Sequence, residues 1–305
     1  MSGLSRLPDM VLAELVKIRR RGFGTVAVVI AAVHGLLVLA AMVGLRALAR
    51  WQTPASERDA LDLFDGLQVG EWTLFTLCLP VMTVVVLAVV AELFAGEYAQ
   101  RTYSLLLIRP VPRWQVFAAK FIAVYGFVIL LFVAAVLLTS ILGLVGFGAS
   151  KATGASPADL AMGLGTEQSF GLRLGEMAVW VFGGSLGMLP VIAATAFFAV
   201  VTRSTALTVT YTIILLIIDA GIRLTFPLVG PMLEQDFVVR IADFTMTASR
   251  LPPFEHFLTP ALSPSEAVGH GEYLKESLGA FGLLVGYSAA FIGGAIAVFT
   301  FQDVE

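Results

Sequence analysis

Long apolar runs dominate the chain and constrain its fold more than any other feature. About twenty consecutive apolar residues suffice for a helix to cross a bilayer, where every backbone polar group must be satisfied within the structure. The chain contains six such runs, separated by polar segments. They lie near 23–45, 72–94, 121–146, 175–201, 206–222 and 277–301. We therefore expect an all-α membrane protein whose six-span domain extends over residues 23–305.

The bulk composition excludes a soluble globular domain. Apolar residues make up 58% of the 305 positions and charged residues only 13%, whereas soluble domains contain about 25% charged residues. The formal net charge of -3 gives no electrostatic basis for nucleic-acid binding, so we expect no nucleic-acid partner. The single cysteine, Cys78, cannot form a disulfide within the chain.

Basic residues indicate which polar segments face the cytoplasm, because Lys and Arg close to a span disfavour translocation. They are dense in residues 6–21 and 101–120, whereas the opposite segments are longer and carry most of the acids. The first apolar run is too long for a signal peptide. We expect both termini in the cytoplasm. The external segments are then 46–71, 147–174 and 223–276.

The external segment 223–276 is the longest of the three. It contains the apolar stretch FPLVGPML, which Pro227, Gly230 and Pro231 interrupt. Irregular backbone lies at membrane depth only where protein or water covers it. We interpret the segment as a re-entrant or surface-lying cap over the outer end of a pathway. It either contacts a periplasmic or extracellular partner or serves only as a lid.

Residues 1–22 predict a cytoplasmic amphipathic helix before the first span. Pro8 suits a position in its first turn. The apolar stripe comprises Val11, Leu12, Leu15 and Ile18, and the other faces carry Glu14, Lys17 and Arg21. A basic amphipathic helix of this kind lies in the headgroup plane with its stripe toward the lipid. The same residues also suit a plain positively charged anchor.

A polar island separates the second and third runs. Its sequence, GEYAQRTYSLLLIRPVPRWQVFAAK, starts at Gly96 and ends at Lys120. Thr102 to Ile108 form a short helical pattern, which the Arg-Pro-Val-Pro sequence stops because proline cannot donate to the helix ladder. A new helix is predicted to start near Arg113 and to continue into the third span. A helix, a rigid corner and a second helix at a membrane surface are suited to docking a soluble partner.

The island also carries a family resemblance. Gly96-Glu97-Tyr98, Arg101-Thr102, the three leucines 105–107, Arg109-Pro110, Arg113 and Lys120 resemble the segment between the second and third spans of ABC-2 type ABC transporter permeases. Gln100 is a departure, because the family often has Gly before the Thr. The resemblance covers nearly the whole chain, including the amphipathic start and the six spans.

The resemblance implies a coupling segment, residues 95–120, that binds a separate nucleotide-binding ATPase. It assigns ATPase coupling to Gly96, Glu97, Arg101, Thr102, Arg109, Pro110, Pro112, Arg113 and Lys120. It also makes residues 1–22 an interfacial elbow helix, whose ATPase-facing residues would be Leu15, Lys17, Arg19 and Arg20. ATP-driven closure of the ATPase would push on the corner from Thr102 to Arg113 and on the elbow helix, and the second and third spans would carry the displacement.

The resemblance also implies an assembly. Six spans are half of what the family uses, so a second permease copy, either identical or a sister chain, is expected in the bilayer. The chain has no GxxxxGK[ST] loop to hold nucleotide phosphates. We therefore expect it to bind no cofactor itself, with ATP and Mg on the ATPase partner. The expected location is the cytoplasmic (inner) membrane of a bacterium or archaeon.

Enzymatic and metal sites are not supported by the sequence. His34, His256 and His270 are scattered, with no cysteine cluster and no HExxH pattern. Gly183 to Gly187 fit the GxSxG expression of serine hydrolases, but they lie inside an apolar run with no histidine base in the later spans. We expect no catalytic residue and no metal ligand in this chain.

Four polar residues in or near the spans are candidates for pathway or structural roles. His34 lies about 18 Å along the first span, where a helix-helix hydrogen bond or a pathway position is expected. Asp219 and Arg223 are spaced for an ion pair within one helix. Glu92, at the inner end of the second span, is expected to brace the island through Arg101 or Lys120. Pro80 and Pro190 are expected to kink their spans.

We arrive at one leading function and two alternatives. The leading function is a permease that exports a substrate with ATP hydrolysed by its partner. An alternative within the family is a subunit that transmits ATP-driven motion to an envelope partner, which the long segment 223–276 favours. An ion-coupled carrier is the alternative outside it, although it predicts midplane acids and inverted repeats that the sequence lacks. The substrate is left open, with lipids, drugs, peptides and ions all compatible.

Overall fold

A computed structural model describes residues 7–52, 69–70, 73, 81–99, 112–147, 170–229, 245–246 and 270–301. Within these ranges every regular element is helical, as the apolar runs predicted. The helices are α1 (Leu7–Arg20), α2 (Phe23–Gln52), α3 (Met82–Phe94), α4 (Gly96–Ala99), α5 (Arg113–Phe147), α6 (Phe170–Gly187), α7 (Leu189–Thr202), α8 (Thr205–Val229) and α9 (His270–Phe301).

Five segments of the described residues are long and apolar enough to cross a bilayer. They are Phe23–Leu48, Arg113–Phe147, Val181–Thr202, Thr205–Pro227 and Leu278–Phe301. These segments match the first, third, fourth, fifth and sixth predicted spans. The structure describes only the last part of the second predicted span, as the 13 residues of α3. Six crossings therefore stay a prediction.

The observed helix boundaries differ from the predicted ones where a helix continues beyond its most apolar part. Helix α9 begins at His270 rather than Ser277, and α8 continues to Val229, through Pro227, rather than ending at Ile222. Helical structure therefore extends into both ends of the predicted external segment 223–276. Apolarity marks the part of a helix that lies in lipid, whereas a helix continues as long as its backbone can be satisfied.

The fourth apolar run contains two helices rather than one. Helix α6 ends at Gly187, Met188 forms a turn, and α7 begins at Leu189 with Pro190 in its first turn. Proline has no backbone N–H to donate, so it is tolerated at the start of a helix. The predicted irregularity at Pro190 is confirmed. Ser185, in the GxSxG sequence, is fully buried within α6, and not on a strand-to-helix turn.

The contacts divide the chain into two compact units. The first comprises Met1–Phe23, Thr83–Val128 and Gly183–Glu305, and the second comprises Gly24–Met82 and Ile129–Phe182. In the first unit, α7 is buried almost all round and packs against α8 and α9. The Phe197 ring of α7 lies 5.8 Å from that of Phe291 on α9. A helix that is apolar on all faces belongs in such a core.

In the second unit, α2 lies against the second part of α5. The two helices approach closely at Gly35, because any side chain there would meet the buried methyl group of Thr139. The Arg46 guanidinium lies 5.4 Å from the centre of the Phe147 ring, within the range of a cation–π contact.

The predicted amphipathic helix is present as α1. It ends where Gly22 adopts a left-handed backbone with φ 77° and donates its N–H to the carbonyl of Arg19 at 3.2 Å, a common helix C-terminus. Its predicted stripe is divided between two environments. Leu12 is 60% exposed, as a lipid-facing residue would be, whereas Ile18 is buried in the protein.

Candidate functional site

The Gly96-Glu97-Tyr98 sequence lies at the end of α3, where the chain makes one more helical turn. Ala95 donates to the carbonyl of Ala91 at 2.8 Å, and Tyr98 donates to that of Ala95 at 3.1 Å. The turn is buried: Ala95 is inaccessible and Glu97 is only 3% exposed. A carboxylate in such a place requires charged or hydrogen-bonding partners, since burying an isolated charge is very unfavourable.

Glu97 finds its partners in a closed arrangement of four alternating charges, which we call the charge ring: Glu14, Lys17, Glu97 and Lys120. The Lys17 ammonium lies 2.7 Å from Glu14 Oε1 and 3.0 Å from Glu97 Oε1. The Lys120 ammonium lies 3.4 Å from Glu14 Oε2 and 2.8 Å from Glu97 Oε2. Each carboxylate oxygen thus faces one ammonium, and the ring has no net charge.

The ring is mostly removed from solvent. Lys120 is 1% exposed and Glu14 is 6% exposed, whereas the side chain of Lys17 keeps 35% of its surface accessible. Lys120 also donates to the backbone carbonyl of Leu93 at 3.0 Å. This carbonyl lies in the last turn of α3. Carbonyls there receive no hydrogen bond from an N–H of the same helix and need another donor.

Two members of the ring, Glu97 and Lys17, lie outside the membrane-spanning segments, and their neighbours in the ring determine whether they are charged. Burial by itself would raise the pKa of the Glu97 carboxyl, but the ammonium groups of Lys120 and Lys17 hold this pKa below its ordinary value of 4.5. Burial would likewise lower the pKa of Lys17, but the carboxylates of Glu14 and Glu97 hold it above 10.5. Both groups are therefore charged throughout the physiological pH range.

A second ion pair lies one turn further along α1. The Arg21 guanidinium donates to Glu92 Oε1 at 2.9 Å and to the Glu92 backbone carbonyl at 3.3 Å. Gly96 makes this pair possible, because a Cβ atom at position 96 would lie 2.7–2.9 Å from the Glu92 carboxyl atoms. Of the two predicted partners of Glu92, Lys120 instead belongs to the charge ring, and Arg101 lies outside the described residues.

Tyr98 connects the same turn to a third element. The Arg203 guanidinium lies 5.6 Å from the centre of the Tyr98 ring, a cation–π distance. Arg203 occupies the short connection between α7 and α8, where its backbone is left-handed with φ 53°. A non-glycine residue rarely adopts this conformation, and its N–H donates to the carbonyl of Ala199 at 3.0 Å as a helix cap.

An aromatic cluster flanks the ring on its apolar side. Phe117, which is fully buried, lies one turn before Lys120 on α5. Its ring is 5.2 Å from that of Phe94 on α3 and 6.2 Å from that of Phe299 on α9. These tilted contacts fix the ends of three helices against one another, which orients Lys120 toward the two carboxylates.

The structure brings some of the predicted coupling residues together. Gly96, Glu97 and Lys120 meet at the ring, and Pro112 directly precedes α5, as the proline rule predicted. Arg113 donates to the carbonyl of Thr300 at 3.2 Å, in the last turn of α9, so it has a structural task. Arg101, Thr102, Arg109 and Pro110, together with the predicted helix 102–108, lie outside the described residues.

The elbow-helix candidates have different environments. Lys17 is part of the ring, Leu15 is half-buried, and Arg19 and Arg20 are exposed. Sequence reasoning placed Glu14 on a polar face away from the protein and missed its role. The available signal was the spacing of Glu14, Lys17 and Arg21, which puts three charges on one side of α1.

The contacts test only some of the roles predicted for the polar residues within the spans. His34 is half-buried on α2. Asp219 Oδ1 accepts a hydrogen bond from the backbone N–H of Met246 at 2.6 Å, and Met246 and its neighbour Thr245 are buried. The predicted Asp219–Arg223 ion pair stays a prediction, as does a pathway role for His34. The remaining part of the predicted cap, between α8 and α9, lies outside the described residues.

Comparison with known proteins identifies the family to which the chain belongs. Residues 10–219 match the model of a family described as ABC-2 family transporter protein, which is more than half of the chain. The match includes all but the first three residues of α1, the charge ring and Arg203. The curated proteins contain no match to the chain.

The charge ring predicts a large loss of stability when one member is removed. Lys120→Met leaves Glu14 and Glu97 facing each other in a buried site, and we expect the free energy of unfolding to fall by about 3–5 kcal/mol. Thermal unfolding of the detergent-purified protein measures the change, and the exposed Arg20→Met on α1 is the matched control. Glu97→Gln should cost less in the Lys120→Met background than alone; additive costs would contradict the ring.

The pKa directions predict where pH affects the ring. A carboxyl whose pKa is lowered on folding contributes stability above 4.5 that is lost as pH falls through its folded pKa. An ammonium group whose pKa is raised on folding contributes stability below pH 10.5. This stability is lost as the pH rises through the folded pKa. The difference in melting temperature between wild type and Glu97→Gln should therefore be constant from about pH 6 to 9 and shrink below 4.5. A difference that changes around neutral pH would refute this assignment.

Gly96 provides a further prediction through Glu92. Gly→Ala within a helix normally stabilises by about 1 kcal/mol, as we expect for Gly126→Ala, where a Cβ would meet open space. Gly96→Ala should show no such gain, because the methyl group displaces the Glu92 carboxylate from Arg21. Melting temperatures of both variants are compared in wild-type and Glu92→Ala backgrounds. The gain at position 96 should appear only when Glu92 is absent, and its presence in wild type would contradict the steric explanation.

Proposed function

Because the chain belongs to the ABC-2 family of transporter proteins, we propose that it is the membrane-spanning permease subunit of an exporter driven by a separate ATPase. The ATPase binds the coupling segment 95–120 on the cytoplasmic side of the inner membrane, where both termini also lie. A second permease copy completes the pathway. ATP and Mg are bound by the ATPase, in keeping with the lack of a phosphate-binding loop in this chain.

One observation carries the proposal: the two ends of the coupling segment are joined by a buried ion pair. Glu97 lies near its start and Lys120 at its end, and their charged atoms are 2.8 Å apart. A segment closed in this way cannot shift at one end without moving the other. A push on the middle of the segment's sequence, at Arg109 and Pro110, is therefore delivered to α3 and α5 together, which lead into the second and third spans.

The elbow helix supports the same function. Lys17 binds Glu97 at the start of the coupling segment, while Arg19 and Arg20 remain exposed on the next turn. We propose that Leu15, Arg19 and Arg20 border the ATPase docking site. Arg109 is a better candidate for direct pairing with acids of the ATPase than Arg113, whose guanidinium is already held by Thr300.

A second candidate function within the family is transmission of ATP-driven motion to an envelope partner. The contact of Asp219 with Met246 favours it, because it fixes part of the external segment onto the outer part of α8. A segment held in this way moves with the spans and provides a surface for a periplasmic or extracellular protein. Family membership argues against an ion-coupled carrier.

The docking assignment predicts the effect of charge reversal at Arg109. An interface charge pair is worth about 1.5 kcal/mol or more, so Arg109→Glu should weaken ATPase binding by about tenfold or more. The measurement is co-purification with any ATPase encoded by a neighbouring gene, followed by ATP hydrolysis of the complex. Lys151→Glu, in the predicted external segment 147–174, is the matched control.

Arg113→Glu should also lower the melting temperature of the protein, because it removes the donor to the Thr300 carbonyl. A lowered melting temperature in Arg113→Glu but not in Arg109→Glu separates the structural contact of Arg113 from docking. Normal binding and normal ATP-driven transport in Arg109→Glu would contradict the docking assignment. Purification of the wild-type chain without any ATPase would contradict the proposed function itself.

A further inference from the structure

Three consecutive residues of the coupling segment each hold a different contact. Gly96 makes room for the Glu92 carboxylate that binds Arg21, the residue directly after α1. Glu97 binds Lys17 of α1 and Lys120 of α5. The Tyr98 ring lies against Arg203 in the α7–α8 connection. The turn after α3 is thus the place where the amphipathic helix, the third span and the fourth and fifth spans are joined.

The attachment of α1 is the strongest of these contacts and the least expected for an interfacial helix. An amphipathic helix held only by lipid needs no buried acid, whereas α1 inserts Glu14 into the protein beside Lys120. Two ion pairs link α1 to Glu97 and Lys120, and the Arg21–Glu92 pair adds a third link. The alternation of charge fixes the register, because sliding α1 by one turn would bring like charges together.

Stability alone does not explain an ionic attachment. Replacing a buried ion pair by well-packed apolar residues is often neutral or stabilising. A ring of alternating charges is stable in only one relative position of its members, whereas apolar side chains can slide past one another and stay in contact. It is therefore suited to transmitting a displacement between α1 and the coupling segment without slippage.

We propose that Glu14 and Lys17 are positioning residues for energy coupling, which lock α1 to both ends of the coupling segment so that the three move as one body. The proposal rests on the proposed function, since the displacement comes from the ATPase. It assigns α1 an active part: the helix follows the coupling segment and passes the movement through Gly22 to the first span. On this account, α1 is more than a border of the docking site.

The test reverses the charges of α1 without changing its composition. In Glu14→Lys/Lys17→Glu the pair within α1 is kept, but the ammonium introduced at position 14 would face Lys120, and the carboxylate introduced at position 17 would face Glu97. Adding Glu97→Lys and Lys120→Glu restores alternation around the ring. Asp9→Lys, on an exposed position of α1 to which no docking role is assigned, controls for charge change alone.

The readout is the movement of the outer end of α8 on ATP binding. Leu224, which is 71% exposed, is replaced by Cys in a Cys78→Ser background and labelled with an environment-sensitive fluorophore. The complex with the ATPase is reconstituted in lipid nanodiscs, and the fluorescence change on adding ATP and vanadate is recorded beside the ATPase rate and the melting temperature.

The two-site variant should bind the ATPase and hydrolyse ATP, but lose at least about nine-tenths of the fluorescence response, equivalent to about 1.4 kcal/mol of coupling. The four-site variant should recover at least half of it. A full response in the two-site variant would overturn the proposal, as would a lost response that the four-site variant does not recover. If the two-site variant does not accumulate, Glu14→Gln replaces it under the same criterion, with the exposed Asp9→Asn as control.

The outcomes separate this inference from the proposed function. Failure of the wild-type chain to bind an ATPase, or to respond to ATP at all, would count against the proposed function. A wild-type response that persists in the charge-reversed variants would count against the positioning role alone.

Discussion

The burial of Lys120 is the constraint on which the packing of α1, the turn after α3 and the start of α5 depends. Its ammonium is 1% exposed, and an ion in such a place is tolerated only with close counter-charges and hydrogen bonds. Glu97, Glu14 and the carbonyl of Leu93 supply them. These three groups belong to the turn after α3, to α1 and to α3 itself. Satisfying one ammonium therefore fixes the positions of three segments relative to α5.

The remaining contacts of this region extend the same arrangement. Lys17 completes the ring and leaves it without net charge, which limits the penalty of burying four ions. Phe117 packs on the apolar side against Phe94 and Phe299, so that polar and apolar contacts orient the same three helices. At Gly96 the backbone passes so close to the Glu92 carboxylate that a Cβ atom would displace it. The Gly-Glu-Tyr sequence is thus explained by steric and electrostatic needs rather than by resemblance alone.

The helical class and most membrane-crossing segments could be predicted from the sequence, because apolarity and length report directly on burial in lipid. The start of α5 at Arg113 was also predictable, since Pro112 cannot continue a helix from before it. The extension of α9 back to His270 was not, because its first turns are polar and carry no signal of the bilayer.

The site was predictable only in part. Glu97 and Lys120 could be identified through the family resemblance, but their partner Glu14 could not, as it looks like a residue of a solvated helix face. Glu14 and Lys120 are 106 positions apart, and no local pattern reports on a pairing at that distance. The contact of Glu92 with Arg21 was missed for the same reason: the depth of Glu92 along a helix was known, whereas the direction of its side chain was not.

The central claim is that the charge ring makes α1 and the start of α5 a single body during the ATP cycle. The most direct test is the distance between spin labels on these helices, at Arg20→Cys and Trp114→Cys, both on exposed positions, in a Cys78→Ser background. Double electron–electron resonance is recorded for the complex with the ATPase, without nucleotide and after trapping with ATP and vanadate. The account predicts one narrow distance distribution that is the same in both states. A shifted or broadened distribution after trapping would contradict it.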